Sequence, residues 1–218
     1  MAAARTNTTS GTGRAALTGA DAEQGSAAQR DRRRRILEAT LQLASKGGYD
    51  AVQMRTVAER AEVALGTLYR YFPSKIHLLV SALSLELEAI QEKLDRKPIT
   101  GDTPYERTLA VLGRMTRVMQ REPLLTEAMT RAFMFADPSA SSEVNAVART
   151  MEDMVTRAMH DGEPTADDRA KARVIGDVWL SNLVAWVTRR ASANDVVNHL
   201  ELATRLLLQA EAATPAGR

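Results

Sequence analysis

From residue 30 onward, almost every stretch of this chain places apolar residues three and four positions apart, and none alternates apolar with polar over the length a half-buried strand requires. That pattern confines the chain to an all-α fold. Its clearest instance follows Pro73, where Ile76, Leu79, Val80, Leu83, Leu87, Ile90 and Leu94 form one stripe and Ser74 stands where it can cap the helix. A helix of that length should join two regions. Ahead of it, a first helix is expected from Arg30 to Lys46, with Ile36, Thr40 and Leu43 on one stripe beside Leu37, Leu41 and Ala44, stopped by Gly47 and Gly48. Two short helices, Met54 to Ala61 and Ala64 to Phe72, follow around a turn at Glu62 and Val63. Behind the long helix, breaks at Pro98 to Pro104, at Pro123, at Asp137-Pro138 and at Gly162 to Pro164 mark out helices over 104–122, 123–136, 139–160, 165–191 and 192–211.

Residues 1–29 are rich in Ala, Thr, Ser and Gly, lack the apolar run of a signal peptide, and are expected to form a flexible tail. Residues 30–75 then make a small head, 76–211 a larger helical body, and 212–218 a flexible end. The 218 residues, 44% of them hydrophobic, suffice for a substantial core. The absence of cysteine excludes disulfides, thiolate metal sites and cysteine nucleophiles, and fits a cytoplasmic protein. The most apolar stretch, Val174 to Val187, carries Asp177, Ser181 and Asn182 and is shorter than the roughly 20 residues that span a bilayer, so no membrane partner is expected.

Charge is distributed unevenly. Residues 30–75 hold ten Lys and Arg against five Asp and Glu, whereas residues 76–218 hold seventeen against twenty. A basic head on a slightly acidic body points to an anionic partner, and nucleic acid is the common one. Two short helices around a tight turn, preceded by a basic helix, make a helix-turn-helix unit whose second helix would enter the major groove. On that helix Leu68 and Phe72 share an inward face, while Gly66, Thr67 and Arg70 define the outward one, bordered by Tyr69 and Tyr71. A glycine, hydroxyls and a guanidinium can approach a groove wall and donate to phosphates and base edges. The alternative for the tyrosines is to snorkel over a helix junction with their hydroxyls in water.

Arg32, Arg33, Arg34 and Arg35 fall in the first turns of the expected first helix, where the macrodipole disfavours cations by about 0.3–1 kcal/mol each. Phosphate contact would offset that cost and make binding salt-dependent; the alternative is a solvated cluster. Lys75, next to the Ser74 cap, would add an ammonium to backbone amides at a helix N-terminus.

The run "ILEATLQLASKGGYDAVQMRTVAERAEVALGTLYRYFPSKIHLLVSAL" resembles the DNA-binding domain of the TetR family of bacterial transcriptional regulators, over about residues 30–83. The resemblance implies an all-α, TetR-like fold with a three-helix DNA-binding head and a larger ligand-binding and dimerisation domain. It implies DNA contacts at Arg55, Thr56, Gly66, Thr67, Tyr69, Arg70 and Tyr71, a phosphate contact at Lys75, and backbone or minor-groove contacts for Arg32 to Arg35. The stretches "PLLTEAMTRAF", "FADPSASSEV" and "DVWLSNLVAWVTRRASANDV" further resemble the members of this family that repress sterol catabolism in actinobacteria. That resemblance implies a homodimer on a palindromic double-stranded operator, released by the coenzyme A thioester of a steroid acid, with no resident cofactor.

In the body, Met115, Met119, Met129, Phe133, Met134, Trp179 and Trp186 include a large share of the chain's methionines and both of its tryptophans. Methionine at helical spacing fills an ordinary core or lines an adaptable cavity. The resemblance selects the cavity, with Met115, Met119, Met129, Phe133, Trp179, Leu183 and Trp186 as ligand-binding candidates. A rigid apolar ligand would bind mostly by burial, at about 0.8 kcal/mol per CH2. The helix from Val174 to Val187 is apolar nearly all round, and the last helix offers Val196, Leu200, Ala203 and Leu207, so these two are the expected dimer interface. Within the same family, a repressor of lipid-metabolism or efflux genes answering a fatty acyl thioester or a drug is the competing reading. An enzyme has little support: His77, His160 and His199 are scattered, no Glu-x-x-His pair exists, and no Gly-rich phosphate loop or metal site is present.

Overall fold

The structure, a computed structural model, describes residues 19–97, 99–159 and 162–209, and every regular element among them is helical. In chain order these are α1 (Gly19–Ala51), α2 (Met54–Arg60), α3 (Leu65–Tyr71), α4 (Lys75–Arg96), α5 (Pro104–Arg121), α6 (Pro123–Met134), a 3-10 turn (Pro138–Ala140), α7 (Ser141–Met159), α8 (Ala166–Val187) and α9 (Ala193–Gln209). Residues 1–18, Pro98, His160, Asp161 and residues 210–218 lie outside the described residues.

The first helix departs from expectation at its start. It begins at Gly19, eleven residues before Arg30, so residues 19–29 continue α1 instead of belonging to a tail. At its other end Gly47 and Gly48 leave helical geometry, and Gly48 adopts φ +65, so the regular helix stops where the glycines predicted. An L side chain is strained at that φ. Glu62 also takes a left-handed conformation, with φ +54, in the α2–α3 turn.

α1, α2 and α3 enclose the head's share of one continuous buried cluster, in which Ile36, Leu37, Val57, Ala58, Leu68 and Phe72 are all buried. Burying each such Leu, Ile or Phe is worth roughly 1.5–3 kcal/mol. α4 leaves the head through the Ser74 cap, whose hydroxyl accepts from the His77 N–H, and its Leu78, Leu79, Val80, Leu83, Leu87 and Ile90 are buried along the way. It packs on α1, α6 and α7, and so belongs to both head and body.

The body's helix starts follow local chemistry. Pro104 and Pro123 open α5 and α6, and reciprocal capping boxes join Thr103 to Glu106 and Thr165 to Asp168. α8 stops at Val187, short of the expected 191, because Arg189 turns to φ +60. On α9 the expected dimer stripe turns toward the chain's own core. Val196 and Leu200 are buried and Ala203 and Leu207 half-buried, with Thr204 buried beside them, where α9 packs on α5 and α8. The exposed apolar residues are instead Val197, Leu202 and Leu206, with Val174 on α8. His199 ties the two helices, donating from Nδ1 to Asn182 Oδ1 at 2.7 Å.

Candidate nucleic-acid interface and ligand cavity

α3 divides by helical phase as its sequence predicted. Leu68 and Phe72 are buried, while Gly66, Tyr69 and Arg70 are exposed, Tyr69 to 46%. A Cβ built on Gly66 meets no heavy atom within 4 Å, so the glycine leaves the backbone open to close approach. Thr67 and Tyr71 are half-buried, and Tyr71 packs against the core with its ring 6.4 Å from that of Phe72. The two tyrosines therefore differ: Tyr69 stands free and Tyr71 is largely a wall of the head. Arg55 is exposed and Thr56 half-buried in the first turn of α2.

The four arginines do not act as one cluster. They lie more than three turns into α1, beyond the first-turn reach of the macrodipole, so the penalty expected of them is absent. Arg34 pairs with Asp31 at 2.8 Å and Glu38 at 3.0 Å, and this guanidinium holds the Asp31 carboxyl below its usual range. Arg35 donates to the Ala61 carbonyl at 3.2 Å and lies 3.4 Å from Asp31 Oδ2. It braces the helix-turn-helix turn from behind. Arg33 is exposed and lies over the Phe72 ring at 5.4 Å, and Arg32, half-buried, forms no ion pair among the described residues.

Lys75 is also engaged. Its Nζ lies 3.7 Å from the centroid of the Tyr49 ring, and the Arg131 guanidinium, from α6, lies 4.3 Å from the same centroid. Burial pushes the Lys75 ammonium below its ordinary value; Asp50 and Glu127 oppose that and Arg131 adds to it. Nothing in the sequence paired Arg131 with Tyr49, 82 residues earlier near the end of α1, although a tyrosine directly after two glycines marks the spot.

A cavity of about 230 Å³ opens between α4, α5, α6, α7 and α8. Five of the expected residues, Met119, Met129, Phe133, Trp179 and Leu183, line it. Met115 does not; it is fully buried one turn before Met119 on the same face of α5. Trp186 lies past the cavity too, nearly a turn beyond Leu183, half-buried against the core. Met134 is exposed. Other wall residues carried no such mark in the sequence, among them Leu83, Thr126, Thr130, Val147, Met151 and Gly176. Gly176 carried a signal of another kind, because glycine inside a helix costs about 1 kcal/mol unless its missing side chain is used. Here its Cβ position faces the cavity, 3.7 Å from Met151 Cγ. The Trp179 indole N–H donates to the Thr116 hydroxyl at 3.2 Å, fixing the ring in the wall. At the rim, Glu152 sits between Arg173 at 3.4 Å and Arg169 at 3.6 Å. No group of side chains among the described residues could hold a metal ion, and no described helix is long and apolar enough to cross a membrane.

A helix-turn-helix head joined by one shared helix to a helical body with an apolar cavity defines a ligand-responsive DNA-binding regulator. The family described as bacterial regulatory proteins, tetR family, matches residues 36–82, and the tetracyclin repressor-like C-terminal domain matches residues 101–207. The chain belongs to the TetR family, and is a DNA-binding regulator and not an enzyme. Within that family it is similar to the HTH-type transcriptional repressor KstR of Mycolicibacterium smegmatis, 64% identical over 88% of this chain and 94% of that protein. It is likewise similar to KstR of Mycobacterium tuberculosis, 62% identical over 87% of this chain and 86% of the relative. Among solved structures, a TetR transcriptional regulator from Rhodococcus sp. RHA1 superposes with a TM-score of 0.77 at 33% identity, covering 83% of this chain and 97% of the other.

Proposed function

We propose that this chain is a homodimeric repressor of genes for sterol uptake and degradation, released from a palindromic operator when a steroid acid coenzyme A thioester enters the body cavity. The observation that carries the reading is the position of α4: Leu83 lines the cavity and Lys75 begins the same helix beside α3, about 12 Å away along the axis. Cavity and head thus share one rigid element. Similarity to repressors named KstR supports a repressor of that kind.

In this reading residues 30–75 form the DNA-binding domain and residues 76–211 the ligand-binding and dimerisation domain. The DNA contacts fall to Arg32, Arg33, Arg55, Thr56, Gly66, Thr67, Tyr69, Arg70 and Lys75, with Arg34, Arg35 and Tyr71 supporting the surface. The steroid lies against Met119, Met129, Phe133, Trp179 and Leu183, where burial supplies most of the affinity. The coenzyme A remains outside, and Arg169 and Arg173 at the rim suit its phosphates. The exposed Val174, Val197, Leu202 and Leu206 give α8 and α9 the apolar surface that a second copy covers. Two-fold symmetry then sets two recognition helices about one DNA turn, ~34 Å, apart. The ligand releases DNA only through its differential affinity for the DNA-bound and free arrangements.

An operator mobility-shift series across salt concentrations, with a steroid acid coenzyme A thioester, a fatty acyl coenzyme A or neither, tests this. Release by the steroid thioester and steep salt dependence are expected. Release by the fatty acyl thioester alone would replace the sterol assignment with a lipid-metabolism one.

A further inference from the structure

We propose that Arg131 and His77 are the positioning residues through which the cavity-lining helices α6 and α7 set the DNA-facing end of α4. The inference rests on the ligand-released DNA binding just described, and names the contacts that carry the signal.

α6 presents two faces. Met129, Thr130 and Phe133 line the cavity, and Arg131, among them in sequence, reaches the Tyr49 ring at 4.3 Å. Lys75 lies 3.7 Å from the centroid of that ring. One ring attracts both cations while the cations repel each other, so the place of Arg131 bears directly on Lys75. Glu127, 3.9 Å from Arg131, and Asp50 are the acidic groups in this neighbourhood.

α7 reaches the same turn by a different route. Val147 and Met151 line the cavity, and the 3-10 turn leading into α7 puts the Ser139 carbonyl 3.1 Å from His77 Nε2. A carbonyl only accepts, so Nε2 carries the proton and donates. In the neutral ring Nδ1 is then an acceptor, taking the Ser74 hydroxyl proton at 2.9 Å. The same hydroxyl caps α4 by accepting from the His77 N–H at 3.4 Å. Two cavity walls therefore converge on Ser74 to His77, the turn that immediately follows α3.

The test uses the full chain and a fluorescently labelled operator palindrome, titrated with and without saturating cholestenoyl coenzyme A. Arg131→Met and His77→Leu should each bind operator and thioester separately within about threefold of wild type. The loss of operator affinity on adding the thioester, about 5- to 150-fold for a typical allosteric pair, should shrink to about threefold or less. Arg131→Lys should restore it. A purely structural role would lower operator affinity or melting temperature without changing the ratio, and an unchanged ratio in Arg131→Met overturns the proposal even if His77→Leu fails to fold. If wild type is itself not released by the thioester, the ligand reading fails and the proposal falls with it, an outcome the wild-type arm identifies by itself.

Discussion

The Arg35 guanidinium donates to the carbonyl of Ala61 at 3.2 Å, reaching from α1 to the turn between α2 and α3. An arginine whose sequence position suggested a phosphate contact thus closes the turn that orients the recognition helix. Arg35→Ala should destabilise the protein by about 1.5–3 kcal/mol, the range for a hydrogen bond to a charged group. Arg32→Ala should leave the melting temperature unchanged and reduce the salt slope of operator binding by about 0.9 for each phosphate that the arginine neutralises. Thermal melts beside operator titrations at several salt concentrations separate the two effects.

Tyr69 and Tyr71 should respond to substitution in opposite ways. Tyr69 is exposed on the outer face of α3 and Tyr71 is packed on the core. Tyr69→Phe should weaken operator binding by about 0.5–1.5 kcal/mol, the net worth of one hydrogen bond, with an unchanged melt. Tyr71→Ala should lower the melting temperature, and equal losses of stability in both variants would contradict the division of the face.

Gly176 offers a way to block the cavity without touching the head. Its Cβ position has ordinary clearance from Met151, so Gly176→Ala should fit and stabilise α8 by up to about 1 kcal/mol. Gly176→Leu should fill the cavity, giving a repressor that binds operator normally and no longer responds to the thioester. Calorimetric titration with the thioester would register the loss directly.

Glu86 makes stability depend on acidity. Burial raises its carboxyl above the ordinary 4.5, with Lys93 opposing and Glu122 adding to the shift. The folded chain therefore holds this proton more tightly than the unfolded chain, and Glu86 removes stability as pH rises above about 4.5 through its raised value. Glu86→Gln should raise stability at neutral pH and flatten the profile in that window, which denaturant titrations from pH 4 to pH 7 would follow.

Helical class, most element boundaries and the inner and outer faces of α3 were legible in the sequence, because each depends on neighbours within a turn or two. Ser74, Thr103 and Thr165 act as caps through the residue three positions on, and Gly48 ends a helix by its own backbone. The cavity was legible only in part. Methionine and tryptophan marked the right helices, but helical phase alone could not separate Met119 from Met115 or Leu183 from Trp186, since each pair shares a face and differs only in height along the bundle. Tertiary packing also decided which arginines face outward, which stripe of α9 is buried, and that Arg131 meets Lys75 on the ring of Tyr49. Those pairings join residues tens of positions apart, and only the docking of one helix on another brings them within contact distance.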